Sequence, residues 1–194
     1  MAAPSRHAFC LHPILLGVPP DIRAASGRTK VQSLSRLARQ AAQASARKTL
    51  GQPLSAFPKD DDGVPLPVDG MHWSISHKSA LVAGMVARHP IGIDVEFRRP
   101  VKTGMHTRIA TSKEWRLGQA VEVDAALPTP PPAALFYRFW TAKEAVLKAV
   151  GQGLVGLYNC RITALPSPAR MNIVYHATHW QVAQLWYGDH LVAV

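Results

Sequence analysis

The stretch that most constrains the fold is Gly92-Ile93-Asp94-Val95-Glu96, a short run in which polar and apolar residues alternate. Side chains alternate across a β-strand, so Asp94 and Glu96 share one face while Ile93 and Val95 share the other. Two carboxylates this close repel each other unless a cation, a proton or solvent relieves them. The run therefore predicts a strand with one apolar face and one acidic face, which fits either a cation site or a solvated strand surface.

A third acid lies in the run 140–148, which reads WTAKEAVLK. Glu144 and Lys148 are four residues apart and so lie on one face of a helix. Three carboxylates and a lysine are suited to a hard cation and a phosphate ester, which favours an enzyme. The same run also fits an ordinary capped helix, because Thr141 and Glu144 match a T-x-x-E capping box. On these residues alone both interpretations stay open.

Composition limits the class of protein. The chain has 194 residues, 47% hydrophobic and 18% charged, which is typical of a globular protein. Its formal net charge of +10 favours an acidic partner such as nucleic acid, an anionic membrane, a polyphosphate ligand or an acidic protein. The longest apolar stretch, residues 80–87, is too short to span a bilayer. We expect no signal peptide, a cytoplasmic protein, and reduced, mostly buried thiols at Cys10 and Cys160.

Periodicity and turn residues predict an α+β fold. The long elements are two helices, at residues 31–49 and 132–150, each accompanied by several short strands. We therefore expect a pseudo-twofold pair of similar α+β subdomains, each a small antiparallel sheet packed with a long helix, with lobes at residues 1–98 and 99–194. The other predicted elements are strands at 7–17, 72–76, 81–88, 92–96, 157–163, 172–176, 180–187 and 191–194, a helix at 108–119, a loop at 52–70 and a stiff connection at 128–132.

Two groups of basic residues stand out. The first is a stripe on the helix at 31–49 that includes Arg36, Arg39 and Arg47, and it fits either a solvated helix face or an anion contact. The second follows the acidic strand and includes Arg98, Arg99, Lys102 and Arg108. Charge alone would also suit a nucleic-acid-binding protein, but the chain lacks interleaved basic and aromatic residues and a recognisable reading helix.

The order and spacing of three segments favour one interpretation. The segments W-S-I-S-H (73–77), G-I-D-V-E (92–96) and F-W-T-A-K-E-A-V-L-K (139–148) together resemble the 4'-phosphopantetheinyl transferase superfamily. The resemblance is to the larger, single-chain, two-lobed type that serves fatty-acid, polyketide and nonribosomal peptide synthesis. The resemblance spans roughly residues 70–157 and extends more weakly to the last strand.

The resemblance implies roles for the acids and the lysine. Asp94, Glu96 and Glu144 would hold Mg²⁺ against the diphosphate of coenzyme A. Glu144 would also be the base that takes the proton from a carrier-protein serine, and Lys148 would neutralise the transferring phosphoryl group or the leaving 3',5'-ADP. Lys143 matches the motif, but it lies one residue before Glu144 on the helix and is expected to point elsewhere.

The resemblance also implies contacts with coenzyme A. Ser76, His77, Asp94 and Lys148 would lie at its phosphates. Many relatives carry a G-K-P element where this chain has Gly63-Val64-Pro65, so the lysine of that element is missing. The candidates to replace it are Lys59 and the arginines Arg36, Arg39 and Arg47.

The implied partner is an acidic apo acyl or peptidyl carrier protein, which we expect to dock on Arg98, Arg99, Lys102 and Arg108. Phosphopantetheine would pass from coenzyme A to a serine of that carrier. A two-lobed chain implies a monomer, and no nucleic-acid or membrane partner is expected. A degenerate relative that only binds coenzyme A or a nucleotide is an alternative, and the intact set of acids and Lys148 argues against it.

Overall fold

The computed structural model describes residues 10–102, 104–120 and 131–194, and within them the chain forms two antiparallel sheets. The first sheet contains β1 (Ile14–Gly17), β2 (His72–His77) and β3 (Leu81–Ala87), in the order β1-β3-β2. The second contains β4 (Asp94–Phe97), β5 (Cys160–Ser167), β6 (Arg170–Tyr175), β7 (Thr178–Tyr187) and β8 (His190–Ala193), in the order β4-β8-β7-β6-β5.

The described helices are α1 (Pro20–Ala24), α2 (Gly27–Leu50), α3 (Met105–Ile109), α4 (Ser112–Gln119) and α5 (Pro131–Ala149), followed by a 3₁₀ helix at Leu154–Asn159. Helix α2 packs on the first sheet and α5 packs on the second. The predicted α+β class is thereby confirmed, with an antiparallel sheet against one long helix in each half. None of the helices in the described part of the chain is long and apolar enough to cross a membrane.

Strand β4 connects the two halves. It precedes the predicted division at residues 98 and 99, yet it pairs with β8 of the second sheet, where Asp94 lies opposite Ala193 and Glu96 lies opposite Leu191. The position of the division stays a prediction. Its consequence for the site is clear, because the two acids are carried by an edge strand of the second sheet that lies beside the first.

Strand β3 is buried on both faces. One face joins the two halves through a buried apolar cluster of Leu81, Ala83, Met85, Ile93, Val95 and Val192. The other face meets α2, where Val82 packs with Leu34 and Ala38. A strand covered on both sides reads as a continuous apolar run, as residues 81–87 do.

Two glycines allow helices to approach strands closely. A Cβ on Gly84 would lie 2.3 Å from the backbone nitrogen of Ala42 in α2. A Cβ on Gly92 would lie 1.8 Å from the carbonyl oxygen of Ala145 in α5. Because the obstructing atoms are backbone, no change of rotamer would relieve the clash. Gly92 thus sets α5 against the segment that leads into β4.

Some element boundaries differ from those predicted. Helix α2 begins at Gly27, four residues earlier than expected, and ends as expected at Gly51, which adopts a left-handed φ of 75°. The helix expected at 108–119 is two helices, α3 and α4. The connection expected at 128–132 and the strand expected at 7–17 lie partly outside the described residues. Within them the first strand begins only at Ile14, and the strand expected at 92–96 begins at Asp94. Both cysteines are free as expected, but Cys10 is exposed rather than buried.

A buried ion pair lies in the core of the second half. Lys143 Nζ is 2.8 Å from Glu114 Oε1, and both side chains are almost fully buried. Glu114 also accepts hydrogen bonds from the N–H of Ile162 at 2.8 Å and from the N–H and hydroxyl of Thr111. Burial alone would raise the pKa of Glu114, but these hydrogen bonds and the Lys143 charge hold it below its ordinary value. Lys143 therefore points away from the acidic strand, as expected.

The close approach at Gly92 predicts a large effect of a single methyl group. We expect Gly92→Ala to lower the free energy of unfolding by about 3 kcal/mol, because α5 must move away from the strand. Urea denaturation followed by circular dichroism measures it. Gly153→Ala is the matched control: Gly153 has a φ of −77° and open space where its Cβ would lie, so its stability should stay within about 0.5 kcal/mol of the wild type. An equally stable Gly92→Ala variant would contradict the packing described.

The Lys143–Glu114 ion pair predicts that removal of Lys143 lowers the free energy of unfolding by an amount that depends on pH. We expect Lys143→Met to lose about 3 kcal/mol at pH 7, because it leaves a buried carboxylate without its cation. The folded pKa of Glu114 lies below its ordinary 4.5, so its contribution is complete above that value and is lost as the pH falls through the folded pKa. The deficit of the variant should therefore shrink below about pH 4.5. The exposed Lys113→Met should behave as wild type; a deficit that is constant down to acid unfolding would refute this account.

Candidate functional site

Two serines of β2 hold the acidic strand in place. Ser74 Oγ accepts the N–H of Ile93 at 3.1 Å, and Ser76 Oγ accepts the N–H of Val95 at 3.2 Å. Ser76 Oγ also donates to Asp94 Oδ1 at 3.0 Å. Strands β2 and β4 belong to different sheets and make no backbone ladder with each other. The serine hydroxyls instead accept the backbone N–H groups and so connect the two strands. The orientation of the Asp94 carboxylate is set by one of these hydroxyls.

One face of α5 completes the arrangement. Trp140, Glu144 and Lys148 are spaced by four residues and therefore share that face. Trp140 Nε1 donates to Glu96 Oε1 at 2.8 Å, and Lys148 Nζ donates to Asp94 Oδ1 at 2.8 Å and to the carbonyl of Ile93 at 3.1 Å. The helix thus contacts the strand at both acids, and Glu144 lies on the helix between the two contacts.

The charges of the three acids interact. Asp94 is 5% exposed. Its Oδ2 atom is buried and accepts no hydrogen bond from any residue that the structure describes. The pKa of Glu144 is raised, first by burial and then by the charge of Asp94, while the charge of Lys148 opposes the shift and that of Glu96 adds to it. Negative charge is therefore concentrated at the junction of β4 and α5.

The donor set fits a hard divalent cation. Carboxylate oxygens are the ligands that Mg²⁺ takes from proteins, and the unpaired Oδ2 of Asp94 offers one in a fixed orientation. Within the described ranges, no three Asp, Glu, His or Cys side chains are grouped to hold a metal ion as they stand. Asp94, Glu96 and Glu144 would therefore close around an ion only together with its other ligands, such as water and phosphate oxygens.

Several basic side chains lie near the acids, and Lys78 and Lys148 contact them directly. The pKa of His77 is lowered by burial first, then by the charges of Lys148 and Lys78, with a smaller effect of Lys59. The pKa of Lys59 is lowered by loss of hydration, then by the charges of Arg39 and Lys148. His77 therefore lies close enough to Lys59, Lys78 and Lys148 to interact with their charges, and Lys148 contacts Asp94 directly, which suits a ligand with several phosphates.

The three arginines of the basic stripe on α2 differ in their surroundings, because one lies near Lys59 and the other two lie on the surface. Arg39 is half-buried, donates to Ser35 Oγ at 2.9 Å and lies close enough to Lys59 to lower its pKa. Arg36 and Arg47 are exposed. Lys59 and Arg39, two of the candidates to replace the missing lysine of the G-K-P element, therefore lie close enough for their charges to interact.

The expected carrier-docking residues differ in their surroundings. Arg99 and Lys102 line a cavity of about 460 Å³ that also reaches Glu96 and has aromatic walls from Phe136 and Trp140. Arg98 is instead held by Asp189 and lies 5.6 Å above the ring of Trp186. Arg108 is exposed on α3.

Two contacts of Glu96 and the surroundings of Thr141 differ from the sequence-based expectation. Trp140 and Lys78 both contact Glu96, which the sequence analysis does not predict. The available signals are the spacing of Trp140 from Glu144 and the position of Lys78 directly after the S-I-S-H run. The capping-box interpretation of Thr141 is wrong, because α5 begins at Pro131 and Thr141 donates to the carbonyl of Tyr137 within the helix.

Comparison with known proteins gives independent evidence for the family of this chain. A family model described as the 4'-phosphopantetheinyl transferase superfamily matches residues 90–194. The chain is 33% identical over 127 residues to the 4'-phosphopantetheinyl transferase HetI of Nostoc sp., a match that covers 64% of this chain and 50% of the relative. It is 30% identical over 147 residues to a putative 4'-phosphopantetheinyl transferase of Haemophilus influenzae, covering 71% of this chain and 56% of the relative.

A third relative is more distant. The 4'-phosphopantetheinyl transferase psf-1 of Bacillus pumilus is 28% identical over 102 residues, covering 50% of this chain and 40% of the relative. The matches thus extend over about half the length of these curated relatives, or less. The region matched by the family model contains β4 and α5, and with them all three acids and Lys148.

Proposed function

Because the chain belongs to the 4'-phosphopantetheinyl transferase superfamily, we propose that it transfers the 4'-phosphopantetheine group of coenzyme A to a serine of an apo carrier protein. The products are holo carrier protein and 3',5'-ADP. The carrier is an acidic acyl or peptidyl carrier protein of fatty-acid, polyketide or nonribosomal peptide synthesis. That the enzyme is a cytoplasmic monomer remains a prediction.

The observation that carries the proposal is the contact of the Glu144–Lys148 face of α5 with the acids of β4. It brings a carboxylate of raised pKa next to a fixed carboxylate and an ammonium group. A proton acceptor beside a cation is what transfer of a phosphoryl group to a hydroxyl requires, since such reactions depend on positioning and charge stabilisation.

The proposed reaction assigns a separate task to each group. Asp94, Glu96 and Glu144 would hold Mg²⁺, which when bound neutralises charge on the diphosphate. The serine oxygen bonds to the phosphorus that carries pantetheine, and the bond from that phosphorus to the oxygen bridging the diphosphate breaks. Glu144 accepts the serine proton. Lys148 stabilises the charge that develops on the leaving 3',5'-ADP.

Binding of coenzyme A follows from the basic cluster. His77, Lys59 and Arg39 are the proposed phosphate contacts, supported by the mutual effects on their pKa values. Ser76 has a different part: its hydroxyl proton is donated to Asp94, so it positions that carboxylate. Arg36 and Arg47, which are exposed on α2, are retained as outer contacts that attract the anion from solution.

Docking of the carrier is proposed at the cavity lined by Arg99 and Lys102. Its aromatic and basic lining suits an acidic helix that presents one apolar side chain, and a carrier bound there would bring its acceptor serine near Glu96, which also lines the cavity. Arg98 and Arg108 would extend the basic surface around it.

The decisive experiment is transfer to a purified carrier. Incubation of the protein with coenzyme A, Mg²⁺ and an apo acyl carrier protein should add one phosphopantetheine group, seen by intact mass spectrometry. We expect Glu144→Gln to lower the rate by about a hundredfold or more, as loss of a general base does, and Asp94→Ala to lower it comparably.

Asp61→Asn is the matched control, because Asp61 is an exposed acid of the loop before β2 and should transfer at the wild-type rate. Unfolding midpoints of all three variants establish that they are folded. The proposal fails if the wild-type protein modifies none of several apo acyl and peptidyl carriers, and the role of Glu144 fails if Glu144→Gln retains near-normal turnover.

A further inference from the structure

Lys78 lies at the end of β2, directly after His77, where the chain turns back into β3. Its backbone N–H donates to the carbonyl of Leu81 at 2.8 Å, which fixes the turn. Its Nζ lies 2.9 Å from Glu96 Oε1, and its side chain is 35% exposed. The ammonium group is therefore anchored at the edge of the acidic strand and is open to solvent.

The positive charge of Lys78 affects the neighbouring side chain of His77. After burial and Lys148, it is the next cause of the lowered pKa of His77. Lys78 thus lies next to the proposed phosphate contact His77 in the chain and contacts the acid Glu96 through its ammonium group.

The hydrogen-bonding capacity of the two lysines differs. An ammonium group has three N–H donors. Lys148 donates to both Asp94 and the carbonyl of Ile93. Lys78 makes one ion pair among the described residues, to Glu96, so two of its donors can reach a ligand. A flexible lysine with a fixed root can hold a carboxylate and a phosphate oxygen together.

We propose that Lys78 is a further coenzyme A contact, whose ammonium group bridges Glu96 and the diphosphate. The inference rests on the proposed function, which supplies coenzyme A as the ligand. Lys78 would keep Glu96 oriented and contribute a positive charge on the side of the diphosphate opposite Lys148. Two lysines, one at each acid of β4, would then flank the phosphates.

Isothermal titration calorimetry of wild type, Lys78→Met, Lys78→Arg and Lys113→Met tests this. Each protein is titrated with coenzyme A and with dephospho-coenzyme A, which lacks the 3'-phosphate but keeps the diphosphate. We expect Lys78→Met to bind both ligands about tenfold more weakly, since a charge-assisted hydrogen bond is lost. Lys78→Arg keeps the charge and should recover most of the affinity. The exposed Lys113→Met, with the same loss of net charge, should bind as wild type.

The outcomes separate this inference from the proposed function. Wild-type affinity of Lys78→Met for both ligands would overturn the contact while leaving the transferase proposal intact. A loss confined to coenzyme A would also overturn it, because it would place Lys78 at the 3'-phosphate. A wild-type protein that binds neither ligand would refute both. Should Lys78→Met fail to fold, Lys78→Gln, which keeps a polar group but no charge, takes its place with the same expected loss.

Discussion

The candidate site depends on the close approach of α5 to the segment that enters β4. Gly92 has no side chain, and the carbonyl oxygen of Ala145 lies where its Cβ would be. Because the helix comes so near, Lys148, less than one turn beyond Ala145, reaches both the backbone and the carboxylate at the start of β4. Glu144, the residue before Ala145, is held beside the same strand. A larger residue at 92 would push α5 away from β4 and so move Glu144 and Lys148 away from Asp94 and Glu96.

The electrostatics follow from that packing. Burial and three neighbouring carboxylates would be costly without compensation. The Asp94 carboxylate is compensated by Ser76 and Lys148, and Glu96 by Trp140 and Lys78, whereas Glu144 shows the remaining cost as a raised pKa. The Asp94 carboxylate is therefore held by two hydrogen bonds, while the charge of Glu144 is less well compensated. The serine contacts from β2 tie this arrangement to the first sheet, so that both halves of the molecule contribute to one site.

Much of this arrangement could be predicted from sequence, because strand alternation and helix spacing are local properties. They placed Asp94 and Glu96 on one strand face and Glu144 and Lys148 on one helix face. Which end of the strand meets which end of the helix is a matter of tertiary packing, so the contact of Trp140 with Glu96 was not predictable. The T-x-x-E match at Thr141 misled for a related reason: capping requires a helix end, and the capping box that forms lies at Thr111, before α4. The pairing of β4 with β8 joins residues almost a hundred positions apart, which no local pattern reveals.

In the proposed reaction, Asp94 of β4 and Glu144 of α5 act on one cation and one diphosphate. The most direct measurement is anomalous diffraction from crystals grown with coenzyme A and Mn²⁺ in place of Mg²⁺. We expect one anomalous peak, contacted by the carboxylates of Asp94 and Glu144 and by oxygens of the diphosphate. Bound coenzyme A with no peak at Asp94, or with its diphosphate away from the junction of β4 and α5, would contradict it.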